Sequence, residues 1–108
     1  MKRSVLMVLT VLACAPAPGQ RAVAVGKLDG DLSRGEGVFL ARCAGCHGPL
    51  GQGTDAGVAL TEHFSEHRVE ELALILIDGT GAMPPQSELS NQELADVIAY
   101  GRAKIAEH

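Results

Sequence analysis

The chain of 108 residues has no tryptophan and only three other aromatics, Phe39, Phe64 and Tyr100. Large rings bring the largest buried areas, so a chain this short and this poor in them builds only a marginal side-chain core. Cysteine does not make up the deficit. There are three, at positions 14, 43 and 46, and a bridge closing the short Cys43–Cys46 loop would remove little unfolded-state entropy. No stretch alternates apolar and polar residues over a useful length, which argues against a sheet. No apolar run reaches the ~20 residues of a membrane span. Basic residues number 9 against 13 acidic ones, a balance that argues against nucleic acid or a polybasic membrane patch.

The N-terminus carries an export signature. Lys2 and Arg3 precede VLMVLTVLA, residues 5 to 13, an apolar run interrupted only by Thr10. That pattern matches a signal-peptide h-region. Two processing sites are open. TVLAC, residues 10 to 14, resembles a bacterial lipobox, and cleavage before Cys14 would leave that cysteine lipidated at a membrane. Alternatively Ala22-Val23-Ala24 is an A-x-A site, giving a signal of residues 1 to 24. Residues 15 to 31, rich in Ala, Pro and Gly, are expected to form a flexible tether ahead of a domain spanning 32 to 108. Loss of Lys2 and Arg3 takes the net charge from −4 to −6. Cysteines of an exported chain work in an oxidising compartment.

The domain reads as all-α. Ser33 and Glu36 form an S-x-x-E capping box, and Gly35, Phe39 and Cys43 follow at four-residue spacing on one helical face. Gly35 is a poor helix former, which predicts close approach by another element. Residues 47 to 65 are expected to be a glycine-rich loop ending in a polar stretch. Arg68 to Asp78 is a second helix, stopped by Gly79, and GTGAMPPQSEL is a proline-stiffened loop. Ser90 and Glu93 cap a last helix with Leu94, Val97, Ile98, Gly101 and Ile105 along one stripe.

The chemistry centres on RCAGCHGPL, residues 42 to 50. A structural zinc site commonly uses two separated ligand pairs, and a single Cys43–Cys46 pair is present. A thiol–disulfide pair sits at a helix start in a βαβ setting, whereas here it ends a helix and no strands are expected. Cys43-x-x-Cys46-His47 is also the attachment sequence of a c-type haem. Two thiols two residues apart can bridge the two vinyl groups of one porphyrin, and the next residue then lies beneath the iron. An exported chain with a thin core suits a haem that completes the core.

With these residues in view, the chain from Ser33 to Ile105 resembles the class I cytochrome c family. GEGVFLARCAGCHG is similar to that family's first helix, GTGAMPP to its distal loop, and LSNQELADVIAYGR to its last helix. The resemblance implies a small cytochrome c fold of three to five helices around one covalent haem. Cys43 and Cys46 would form the thioethers, while His47 and Met83 would be the axial ligands. Tyr100 would pack near the crossing of the first and last helices. Met83 lies in a Pro-locked loop and is the only methionine beyond the export signal. A soft thioether there favours Fe(II). His63 and His67, spaced i, i+4, are rivals as metal ligands, although a solvated pair beside the second helix is the expectation. One departure stands out. The family often places a proline carbonyl on the histidine's Nδ1, and here the corresponding stretch is Gly57-Val58-Ala59-Leu60.

With both axial sites filled there is no open position for a substrate, so the implied function is single-electron transfer by a non-enzymatic carrier. It would act in the periplasm or tethered to a membrane, between a redox protein donor and acceptor such as a respiratory complex or dehydrogenase. The alternative is a small haem peroxidase or gas sensor with a labile sixth ligand.

Overall fold

The computed structural model describes residues 16–106, which form an all-helical domain. Its elements are α1 (Pro18–Gly26), α2 (Leu32–Arg42), α3 (Ala44–His47), α4 (Thr61–Glu66), α5 (Val69–Asp78) and α6 (Asn91–Tyr100), the last continued by a π-helical turn, Gly101–Ile105. Isolated pairings at Thr54/Gly57 and Thr80/Met83 are the only β-type contacts among the described residues. Three helices are assigned by range from the sequence, and the count rises to six with α1, the single turn α3 and α4, which arise where tether or loop was expected. The lipobox and Cys14 lie outside the described residues.

The fold is organised by the crossing of α2 and α6, its most extensive helix pair. Gly35 is the reason they approach so closely: a Cβ there would run into the Asp96 carbonyl and stand 2.8 Å from Tyr100 Cβ. One turn on, the Phe39 and Tyr100 rings pack with centroids 5.7 Å apart. Phe39, Leu94, Val97 and Ile98 are all buried at this crossing. Gly101 performs a similar service further along, since its missing side chain makes room for the Phe64 ring.

The start of α2 differs from the expected Ser33 cap. Asp31 caps it, accepting from the Arg34 amide at 2.8 Å. The outcome is decided by tertiary contact: the Asp31 amide itself donates to buried Asp96 at 2.8 Å, which fixes this residue as the helix boundary. Asp96 also accepts from Arg34 Nε at 3.0 Å and Gln92 Nε2 at 2.9 Å. Burial pushes its carboxyl up, but these donors together hold it below the usual carboxylate range. The Ser90–Glu93 box is present as expected, with reciprocal bonds of 3.0 and 2.8 Å.

The N-terminal stretch corrects the tether expectation. Residues 18–26 are helical, α1 packs on α5, and Ala22 and Val25 are buried. A short helix with no clear apolar period is unstable alone; burial against the apolar face of α5 supplies what its sequence lacks. The A-x-A site at Ala24 falls inside this helix.

Candidate functional site

Between α2, α4, α5 and the loops after α3 and α5 lies a cavity of about 240 Å³, partly open to solvent. Side chains normally pack so that few voids exceed a water molecule, and ~15 Å³ admits one water. Such a void is a binding site. Most of its wall is apolar: Phe39, Leu60, Phe64, Leu72, Ile75 and Leu76 line it. Cys43, His47 and Met83 face it as well, so three of the four expected site residues share one space. Cys46 is exposed at its edge in sequence and does not line it.

Local structure explains how RCAGCHGPL is held. Cys43 ends α2 and opens the single turn α3, where the amides of Cys46 and His47 donate to the Cys43 carbonyl. The glycine-rich loop then folds back over the motif. Gly53 donates its amide to the His47 carbonyl at 2.7 Å, and the Thr54 hydroxyl donates to the Cys46 carbonyl. Gly57 must lie close: a Cβ there would stand 2.7 Å from the Cys46 carbonyl oxygen and 3.0 Å from His47 Nδ1.

This close approach sets the chemistry of His47. Its ring is buried, and Nδ1 lies 2.7 Å from the Val58 carbonyl oxygen. A carbonyl can only accept, so Nδ1 carries the proton and Nε2 presents its lone pair. Val58 thus provides the carbonyl that the expected stretch 57–60 offers in place of proline. Any residue has a carbonyl, and it is Gly57 that lets this one reach the ring.

Among the described residues no disulfide joins Cys43 and Cys46, and burial pushes the unmodified Cys43 thiol up to about 11. An attacking thiol of a disulfide exchanger needs the reverse shift. Met83 is held by its own backbone, which pairs with Thr80 through bonds of 2.8 and 3.2 Å. Gly79 and Gly81, both at positive φ, shape that turn. His63 and His67 also border the cavity, with near-parallel rings 5.8 Å apart. They therefore belong to its wall, His63 exposed and His67 half-buried, rather than to a detached solvated face. Sequence reasoning missed Leu72, Ile75, Leu76 and Thr80 as lining residues, since the apolar run of α5 does not reveal which face meets the cavity.

The comparisons with known proteins agree with this geometry. Residues 30–100 match the family model described as cytochrome C oxidase, cbb3-type, subunit III. The chain is 33% identical over 73 residues to a cytochrome c-553-like protein of Synechocystis sp., covering 68% of this chain and 69% of that one. The chain belongs to the class I c-type cytochromes. Cytochrome c6 of Cyanidium caldarium is 28% identical over 109 residues, with 96% of this cytochrome and 95% of that protein aligned. Cytochrome cL from Hyphomicrobium denitrificans matches with a TM-score of 0.56 and 27% identity over 77% of the chain. Its counterpart from Methylophaga aminisulfidivorans matches at 0.55 and 27% over 67%. This cytochrome spans about half the length of both cytochrome cL chains, 51% in each case. As a member of this family it carries one covalent haem c and serves as an electron carrier. The residues present fit that group: an apolar cavity, a thiol, a thioether and a buried imidazole with a free lone pair border one space.

Proposed function

We propose that this cytochrome shuttles single electrons outside the cytoplasm, with Cys43 and Cys46 as the thioether attachments and His47 and Met83 as the two axial ligands. The observation that carries the assignment is that His47 and Met83 border the same cavity while the Val58 carbonyl holds the His47 proton on Nδ1. Haem bound there supplies a one-electron Fe(III)/Fe(II) couple. The protein does the rest. His47 presents Nε2 as the ligand atom, and its bond to Val58 raises the basicity of the ring. Met83 contributes a neutral, soft donor that favours the reduced state. The apolar walls contributed by α2, α4 and α5 lower the local dielectric, which disfavours the more highly charged state and raises the potential further.

Exposed Leu50 and Val58 flank the motif, alongside exposed Gly45 and Cys46. These small or apolar groups suit close approach by a redox partner, a donor on one occasion and an acceptor on another. The acidic balance of the chain suits a basic partner face.

The N-terminus is best read as lipidated at Cys14, in an extracytoplasmic or periplasmic setting. Cleavage after Ala24 would divide α1, discard buried Ala22 and leave the buried Val25 carrying a charged amino terminus. Cleavage before Cys14 keeps α1 whole. No helix among the described residues is long and apolar enough to cross a membrane.

An alkaline pyridine spectrum of the purified protein tests the attachment. The expected result is the c-type band position given by two thioethers, and its absence refutes the assignment. Carbon monoxide added to the reduced protein at neutral pH tests the sixth position: slow or absent binding is expected, whereas rapid binding would favour a catalytic or sensing haem protein. Mass spectrometry of the mature N-terminus decides between diacylglycerol on Cys14 and a start at Val25.

A further inference from the structure

Arg21 projects from α1 onto the chain that follows Met83. Its Nε donates to Asn91 Oδ1 at 2.8 Å, one terminal nitrogen donates to the Ser87 carbonyl at 2.9 Å, and the other to the Leu89 carbonyl at 2.7 Å. One planar guanidinium thus ties three points of a single segment, residues 87–91, to the N-terminal helix. Two of those points are main-chain carbonyls, so the bonds restrain backbone and not merely side chains.

The restrained segment is mechanically linked to Met83. Pro84 and Pro85 fix φ at consecutive positions, leaving little slack between Met83 and Gln86. Gln86 donates its amide to the Leu76 carbonyl at 2.6 Å, and Leu89 is buried. Arg42 adds a weaker clasp from α2, reaching Gln86 Oε1 at 3.3 Å and pairing with Glu88. On the Met83 side of the loop, by contrast, the backbone hydrogen bonds of Met83 among the described residues are those to Thr80. If residues 87–89 lift, the stiff Pro84-Pro85 link carries Met83 outward.

We infer that Arg21 is a positioning residue that holds the Met83 loop closed, so that α1 is part of the electron-transfer machinery rather than a leader to it. This rests on Met83 being an axial ligand. The open-loop state exposes a sixth position that an outside ligand can take, and apparent affinity for that ligand scales with the open fraction. With water or the substituted side chain replacing most of the fork, a net loss equal to about one charge-assisted hydrogen bond raises the open fraction about tenfold.

The test uses the mature ferric holoprotein, with residues from Cys14 onward including Arg21, titrated with imidazole at fixed neutral pH, following the far-red band that a thioether gives on Fe(III). Arg21→Lys keeps the charge but cannot span three acceptors, and Arg21→Gln removes the charge as well. Both are expected to bind imidazole about tenfold more tightly than the parent. Val25→Ala, which cavitates the packing of the same helix but leaves the Arg21 guanidinium and its three acceptors in place, should lower the unfolding midpoint and leave imidazole affinity unchanged. Unaltered affinity in both Arg21 variants, or an equal rise in Val25→Ala, overturns the role of Arg21 while leaving Met83 ligation intact. Absence of the far-red band in the parent overturns the Met83 assignment and this inference with it.

Discussion

Gly57→Ala is the sharpest single perturbation of the account of His47. The new methyl would stand 2.7 Å from the Cys46 carbonyl oxygen and 3.0 Å from Nδ1, and both neighbours belong to the haem-binding motif. Ordinary contact requires roughly half an ångström more, so the 57–58 backbone has to retreat. The 2.7 Å bond from His47 to the Val58 carbonyl then lengthens or breaks. That bond makes the imidazole a stronger donor, which stabilises Fe(III) more than Fe(II). Only the part of the bond that differs between the two oxidation states moves the potential, so losing about half of a bond worth ~1 kcal/mol raises it by ~20 mV at most, since one electron at 59 mV corresponds to 1.4 kcal/mol. Equilibrium redox titration against a dye series reads this directly. The full loss of the bond gives ~40 mV at most. A potential that falls, or stays within a few millivolts while the spectrum still reports His47 ligation, refutes the reasoning.

Other expectations follow from the same structure. Gly35→Val should disrupt the α2–α6 crossing, because its side chain meets the Asp96 carbonyl and Tyr100 Cβ; a loss of about 3 kcal/mol or more in urea unfolding is expected. Asp96→Ala strands the Asp31 amide and the Gln92 donor and should cost ~2 kcal/mol at neutral pH. Because the Asp96 carboxyl is held below its ordinary value, its contribution is complete above about pH 4 and is lost as pH falls through the lowered folded-state value, so the variant's penalty should shrink in acid unfolding curves. Met83→Ala should retain covalent haem, lose the far-red band and bind carbon monoxide rapidly when reduced, with the potential shifted downward.

What could be read from residues alone divides along a physical line. Local codes were legible: the Ser90–Glu93 box, the stop at Gly79, and the glycine and aromatic at positions 35 and 39 that announce a close helix crossing. The ligand candidates were legible too, because C-x-x-C-H and a Pro-locked methionine carry their chemistry in their spacing. Features decided by distant partners were not. Asp31 displaces Ser33 as the α2 cap because Asp96, far along the chain, captures its amide. Helix α1 looks like a tether until α5 gives Ala22 and Val25 something to pack against. Helix α4 forms within a stretch that reads as polar loop, since burial of Phe64 against Gly101 supplies its anchor. Its formation also brings His63 and His67 to the cavity wall, a position that their i, i+4 spacing did not reveal.

Those two histidines make the identity of the sixth ligand the central question. X-ray absorption at the iron edge of the oxidised holoprotein answers it most directly. The account requires one sulfur in the iron's first shell, disappearing in Met83→Leu while the nitrogen shell is kept. A sixth nitrogen in place of sulfur, lost on substitution of His63 or His67, would contradict it.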